Sequence, residues 1–91
     1  MADIIKVTFW DGTEYCYKSP VNTVLAVLRK IGEEKFPSIS LMRGKNRIVS
    51  QSYSPEIKKY IREIIPGWYY FNQSDTREKT SQLININRQF D

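Results

Sequence analysis

Histidine is absent from this chain, and cysteine occurs once. Without histidine, the side chain most used for proton transfer near neutral pH is missing, along with the usual partner of a Ser or Cys nucleophile. No Ser-His-Asp or Cys-His arrangement can be assembled. A lone Cys16 makes neither an internal disulfide nor, without His, the common tetrahedral zinc sites. Glycine is sparse, so no stretch reads as a phosphate cradle; Arg43-Gly44-Lys45-Asn46 has one glycine and the look of a hairpin turn. Apolar runs span only a few residues, far short of the roughly 20 that cross a bilayer. Met1-Ala2-Asp3 lacks the basic start and apolar stretch of a signal peptide. The expectation is a cytoplasmic protein with no membrane partner, metal or cofactor. The acidic residues are dispersed, and adjacent Glu33 and Glu34 point in different directions on a helix. A non-catalytic protein is therefore expected. The remaining catalytic alternative, a metal-dependent hydrolase, needs carboxylates that converge on one ion.

The 91 residues give room for one domain, 1–91, with one core. Ile4 to Phe9 places Ile5, Val7 and Phe9 on one side and carries strand-forming residues. A three-residue loop, Trp10-Asp11-Gly12, sets Val7 opposite Tyr15 and Ile5 opposite Tyr17, gathering apolar residues on one face. Ser19-Pro20 then signals a helix start, and Val21, Val24, Leu25, Leu28 and Ile31 follow at helical spacing up to Gly32. The hairpin followed by a capped helix, over about the first 35 residues, resembles the opening of a β-grasp, ubiquitin-like fold. Ile39 to Met42 and Arg47 to Ser50 suggest a second hairpin. Ser54-Pro55, with Ile57, Tyr60, Ile61 and Ile64 at helical spacing, predicts a short helix closed by Pro66-Gly67. Trp68 to Phe71 is a fifth strand. A last helix starts near Ser74 or Asp75, with Asp75 and Glu78 spaced as a capping box. Its inner face draws on Thr80, Leu83, Ile84, Ile86, Asn87 and Phe90. The predicted order β-β-α-β-β-(short α)-β-α is an α+β domain: a mostly antiparallel sheet of about five strands with helices on one face. An end without a C-cap fits either a frayed terminus or a domain cut from a longer protein.

The net charge of +4 is unevenly placed. Residues 1 to 42 carry equal numbers of acids and bases, whereas 43 to 62 hold six bases against Glu56 alone. This basic patch, Arg43, Lys45, Arg47, Lys58, Lys59 and Arg62, suits phosphates. In the strand from Trp68 to Phe71, alternate rings face opposite ways, so Tyr69 and Phe71 are expected in the core. Trp68 and Tyr70 would then be left on the open face to stack on bases. The first functional expectation is thus a nucleic-acid-binding module for DNA or RNA. The second is a protein-interaction or regulatory module, working through an exposed strand edge and the Trp10 ring, with a protein partner or a second copy of itself.

Overall fold

The computed structural model describes residues 4–90, apart from the side chains of Arg43 and Phe90. Expectations that rest on Met1-Ala2-Asp3, on the Arg43 guanidinium or on the Phe90 ring lie outside the described residues. The fold is α+β, and its strands fall into three small antiparallel sheets. Strands β1 (Val7–Thr8) and β2 (Glu14–Tyr15) form one hairpin, with Val7 opposite Tyr15. Gly12 in its loop takes φ +89°, which a β-carbon would strain. Helix α1 (Pro20–Ile31) follows, with Pro20 in the first turn. The Ser19 hydroxyl makes no capping bond; its carbonyl instead accepts from the N–H groups of Asn22 and Thr23.

A 3-10 segment at Glu33–Ser38 leads to a second hairpin, β3 (Met42–Arg43) with β4 (Asn46–Arg47). Then β5 (Val49–Ser50), β6 (Ile61–Ile65) and β7 (Trp68–Phe71) form a three-stranded sheet with β7 in the centre. Helix α2 (Thr76–Phe90) closes the chain. Asp75 Oδ1 accepts from the Glu78 N–H at 2.8 Å, one half of the expected capping box.

Two expectations are corrected. No single sheet of about five strands forms, because β1 and β2 pair only with each other among the described residues. The short helix over Ile57 to Ile64 is instead a 3-10 turn, Pro55–Tyr60, running into β6. Ile61, Ile64 and Ile65 are β-branched and lead into Pro66-Gly67, where Gly67 takes φ +91°. Together with the aromatic run beyond, they form a hairpin that outweighs the helical spacing. The register of β6 on β7 slips between Glu63 and Ile65, which leaves Ile64 as an extra residue. Arg29 of α1 covers that bulge: Nε donates to the Ile64 carbonyl at 2.6 Å and a terminal nitrogen to that of Glu63 at 3.3 Å.

The core joins Val24, Leu25, Val27 and Leu28 of α1 with Leu83 and Ile86 of α2, Phe36, Ile39, Ile48, Val49, Ile64, Trp68 and Tyr70. Ile5 adds the first hairpin to this core. Thr23 reinforces that attachment, its fully buried hydroxyl accepting from the Tyr17 N–H at 3.1 Å and lying 3.5 Å from the Ile5 carbonyl.

Candidate functional site

The expected stacking pair does not stand on an open face. Tyr70 is 0% exposed and Trp68 8%. β7 has a strand along each edge and side chains packed on each face, so it has no open face. On one side Trp68 meets Phe36 edge-on at 5.3 Å and its indole N–H donates to Glu33 at 3.3 Å, while the Tyr70 hydroxyl donates to Gln82 of α2 at 2.7 Å. On the other side Phe71 packs against Tyr53 and Tyr60. Tyr69 is half-buried rather than buried. Burial drives the Tyr70 phenol up to about 12, with Ser74 opposing and Glu78 reinforcing the shift. The alternation rule sorted the rings correctly by face, but the face assumed to be bare, that of Trp68 and Tyr70, is the one that Phe36 and α2 cover, while Tyr53 and Tyr60 lie over Phe71 on the other.

The basic residues separate into two groups. The Arg47 guanidinium donates to the carbonyls of Pro37 and Ile39, and that of Arg62 to the carbonyls of Lys59 and Ile61. Both arginines therefore hold main chain. Lys45, Lys58 and Lys59 are exposed, and the Lys59 ammonium sits 5.1 Å from the Tyr60 ring centroid. Of the six, the five whose side chains are described are thus not assembled with the Trp68 and Tyr70 rings, which lie in the core. Among the described residues, no group of three or more His, Cys, Asp or Glu side chains is placed to hold a metal ion. No described helix is long and apolar enough to cross a membrane. No protein-family model, curated protein or solved structure matches this chain.

A concave feature among the described residues lies elsewhere, between β1, the second half of α1 and α2. This groove has a volume of about 660 Å³. One wall is the unbroken run Ile5 to Trp10, and the opposite wall comes from α2 between Thr80 and Arg88. In a strand, successive side chains point to opposite faces. A run of six neighbours can therefore line one groove only where the edge of the strand, its main chain included, faces that groove. The hydrogen bonds support this reading. Phe9 exchanges main-chain bonds within the hairpin, giving its N–H to Thr13 and receiving that of Gly12. Alternation then aims the N–H and C=O of Lys6 and Thr8 at the opposite edge, where β1 has no strand partner among the described residues.

The lining is apolar with a cationic rim. Ile5, Val7 and Phe9 point inward, while Lys6, Thr8 and Trp10 point out. Trp10 is 95% exposed and Ile84, across the groove on α2, 48%. Lys6, Lys30, Lys35 and Arg88 also line the groove, and no described acidic residue does. Lys30 fixes the strand end: its ammonium pairs with Asp11 at 2.8 Å and lies 5.3 Å from the Phe9 ring centroid. That hydrogen bond from Lys30, with another from the Thr13 N–H, holds the Asp11 carboxyl down at about 2. Sequence reasoning singled out Trp10 in this groove and missed the rest. Its signal was present in the first strand, whose Lys6, Thr8 and Trp10 alternate with the core residues, but nothing in the sequence shows that β1 has no second strand neighbour among the described residues.

Proposed function

We propose that this protein is a non-catalytic protein-interaction module that receives an extended segment of a partner along the free edge of β1. One observation carries the reading: the consecutive residues Ile5 to Trp10 line the groove, so an unpaired strand edge faces an apolar trough. An added strand takes hydrogen bonds from the Lys6 and Thr8 main chain and sets alternate side chains on each face. The exposed Trp10 and Ile84 then become partly covered anchors, a role in which aromatic residues dominate binding energy. The nucleic-acid reading retains the exposed Lys45, Lys58 and Lys59, but the two rings it needs for stacking are packed in the core.

The test is an NMR titration of the isotope-labelled chain with a peptide of about seven residues, the length of one edge strand, alternating valine and glutamine. The expected result is movement of the Lys6 and Thr8 amide signals and of the Trp10 indole signal. The same peptide, N-methylated on alternate amides so that it loses its pairing edge, should leave them in place. Shifts confined to residues 43–62, or equal binding of the N-methylated peptide, would reject strand addition.

A further inference from the structure

The proposed groove also carries information about what fills it. Its four cationic side chains come from four parts of the chain: Lys6 just before β1, Lys30 in α1, Lys35 in the 3-10 segment after it, and Arg88 in α2. Asp11 and Glu14, the acids that pair with Lys30 and Lys6, stand outside the lining. The Lys6–Glu14 pair spans 3.7 Å and both side chains are more than half exposed, so it holds Lys6 only weakly. Lys30 is already held by Asp11 at 2.8 Å, so an entering strand meets an apolar floor and a positive rim whose charge comes chiefly from Lys6 and Arg88.

These charges argue against a second copy of the chain. Antiparallel pairing of two β1 edges would bring two Lys6 side chains and two positive rims together, and like charges facing one another across strands repel. They also specify the side chains of a foreign segment by face. Residues of the added strand level with Ile5, Val7 and Phe9 continue the inward layer that packs on the core, so they are apolar. Those level with Lys6, Thr8 and Trp10 point outward beside an ammonium and an indole, so they are acidic, with room for one apolar or aromatic side chain against Trp10.

Resting on the strand-addition reading, we infer that the natural partner is a segment of alternating apolar and acidic residues, whose carboxylates lie against Lys6 and the cationic rim of the groove while its apolar side chains face Ile84 and the floor. The pattern is common to edge strands, so selectivity comes from the charges: a basic segment of the same shape is repelled.

The experiment compares three peptides of one length, alternating valine with glutamate, glutamine or lysine, and a short single-stranded oligothymidylate, all read by the Lys6, Thr8 and Trp10 signals. The glutamate peptide should bind about tenfold more tightly than the glutamine peptide, a difference of about 1.4 kcal/mol. Most of that advantage should vanish between about 0.1 and about 1 M salt, as the screening length falls from about 10 Å to about 3 Å. The Lys6→Gln variant should narrow the ratio. Equal affinity for the glutamate and glutamine peptides would overturn the acidic-partner inference while leaving strand addition standing. Failure of both peptides to move these signals would remove both. Preference for the lysine peptide, or oligothymidylate shifting the groove signals where the glutamate peptide does not, would also overturn the inference.

Discussion

Trp10 and Trp68 mark two regions built from similar residues on opposite plans. Trp68 opens β7, which has a strand on each side and cover on both faces; its ring touches Phe36 and its N–H finds Glu33. Trp10 follows β1, which among the described residues has a strand on one side only and a groove on the other. Each is preceded or followed by aromatic and β-branched residues, so composition does not distinguish them. What separates them is the number of neighbours each strand acquires. A central strand spends its main chain on the sheet and its side chains on the core, whereas an edge strand keeps half of its main chain and its outward side chains for something else.

The largest test of that difference is truncation on each side. Phe71→Ala removes a ring from a fully enclosed site and should cost about 3–5 kcal/mol. That is much of the total for a domain whose stability falls in the range of about 5–10 kcal/mol. Trp10→Ala should change the unfolding free energy measured in urea by no more than about 0.5 kcal/mol, since an almost fully exposed ring loses little. A comparable cost at both positions would show that Trp10 is part of the folded core, and the division between the regions would fail.

A second, smaller effect concerns the proton on Tyr70. The native chain holds the Tyr70 phenol up to about 12, whereas the unfolded chain releases it near its ordinary value of about 10. Stability from this group is complete below about 10 and declines as pH rises toward about 12, by at most about 3 kcal/mol. Burial also pushes the Tyr53 phenol up, which adds to the alkaline loss. Lys79 acts earlier and in the opposite sense. Its ammonium is held low by desolvation while it donates to the Ser74 carbonyl and hydroxyl, so stability rises with pH toward the ordinary lysine range. The comparison of Tyr70→Phe with the parent chain isolates the tyrosine: in urea titrations at about pH 8 and about pH 11, the variant should lose less between the two. An identical loss would mean that the Tyr70 hydroxyl is not enclosed beside Gln82.

Much of this architecture is legible in the residues. The three-residue loop at Trp10-Asp11-Gly12 follows from the need to gather Ile5, Val7 and Phe9, and the register of Val7 on Tyr15 comes with it. The stripe of α1 and its stop at Gly32 follow from spacing and from glycine chemistry. Strand β6 was obscured because Ile57, Tyr60, Ile61 and Ile64 satisfy helical spacing, and the decision for a strand rests on a pairing with β7 that local sequence does not contain. In α2 the expected inner face is half right. Leu83 and Ile86 are buried, but Thr80, Ile84 and Asn87 turn out to the groove side and Lys79 turns in. A lysine on that face is explained by Ser74, whose carbonyl and hydroxyl receive the ammonium. The basic run from Arg43 to Arg62 drew attention by its charge alone. Guanidinium groups that cover carbonyls, as those of Arg47 and Arg62 do, are indistinguishable in sequence from ones that await a phosphate.

The smallest effect lies at the far end of the pH scale and belongs to the first hairpin. Asp11 receives the Lys30 ammonium at 2.8 Å and the Thr13 N–H at 3.0 Å, and its carboxyl is held at about 2, below the ordinary value of about 3.9. The stabilisation this gives is fully present above about pH 4 and is lost as pH falls toward about 2. Solvent screens the pair, so its contribution to stability is slight, and the informative quantity is the titration midpoint itself. A carbon-detected titration of the Asp11 carboxyl should place that midpoint near 2. Lys30→Met should raise it without restoring the ordinary value, because the Thr13 N–H still donates. In the deep sheet, the same experiment on a tyrosine reads burial; here it reads whether α1 is fastened to the hairpin turn. A midpoint near 3.9 in the parent chain would mean that Lys30 does not hold the turn, and that the Trp10 end of the groove is free to open.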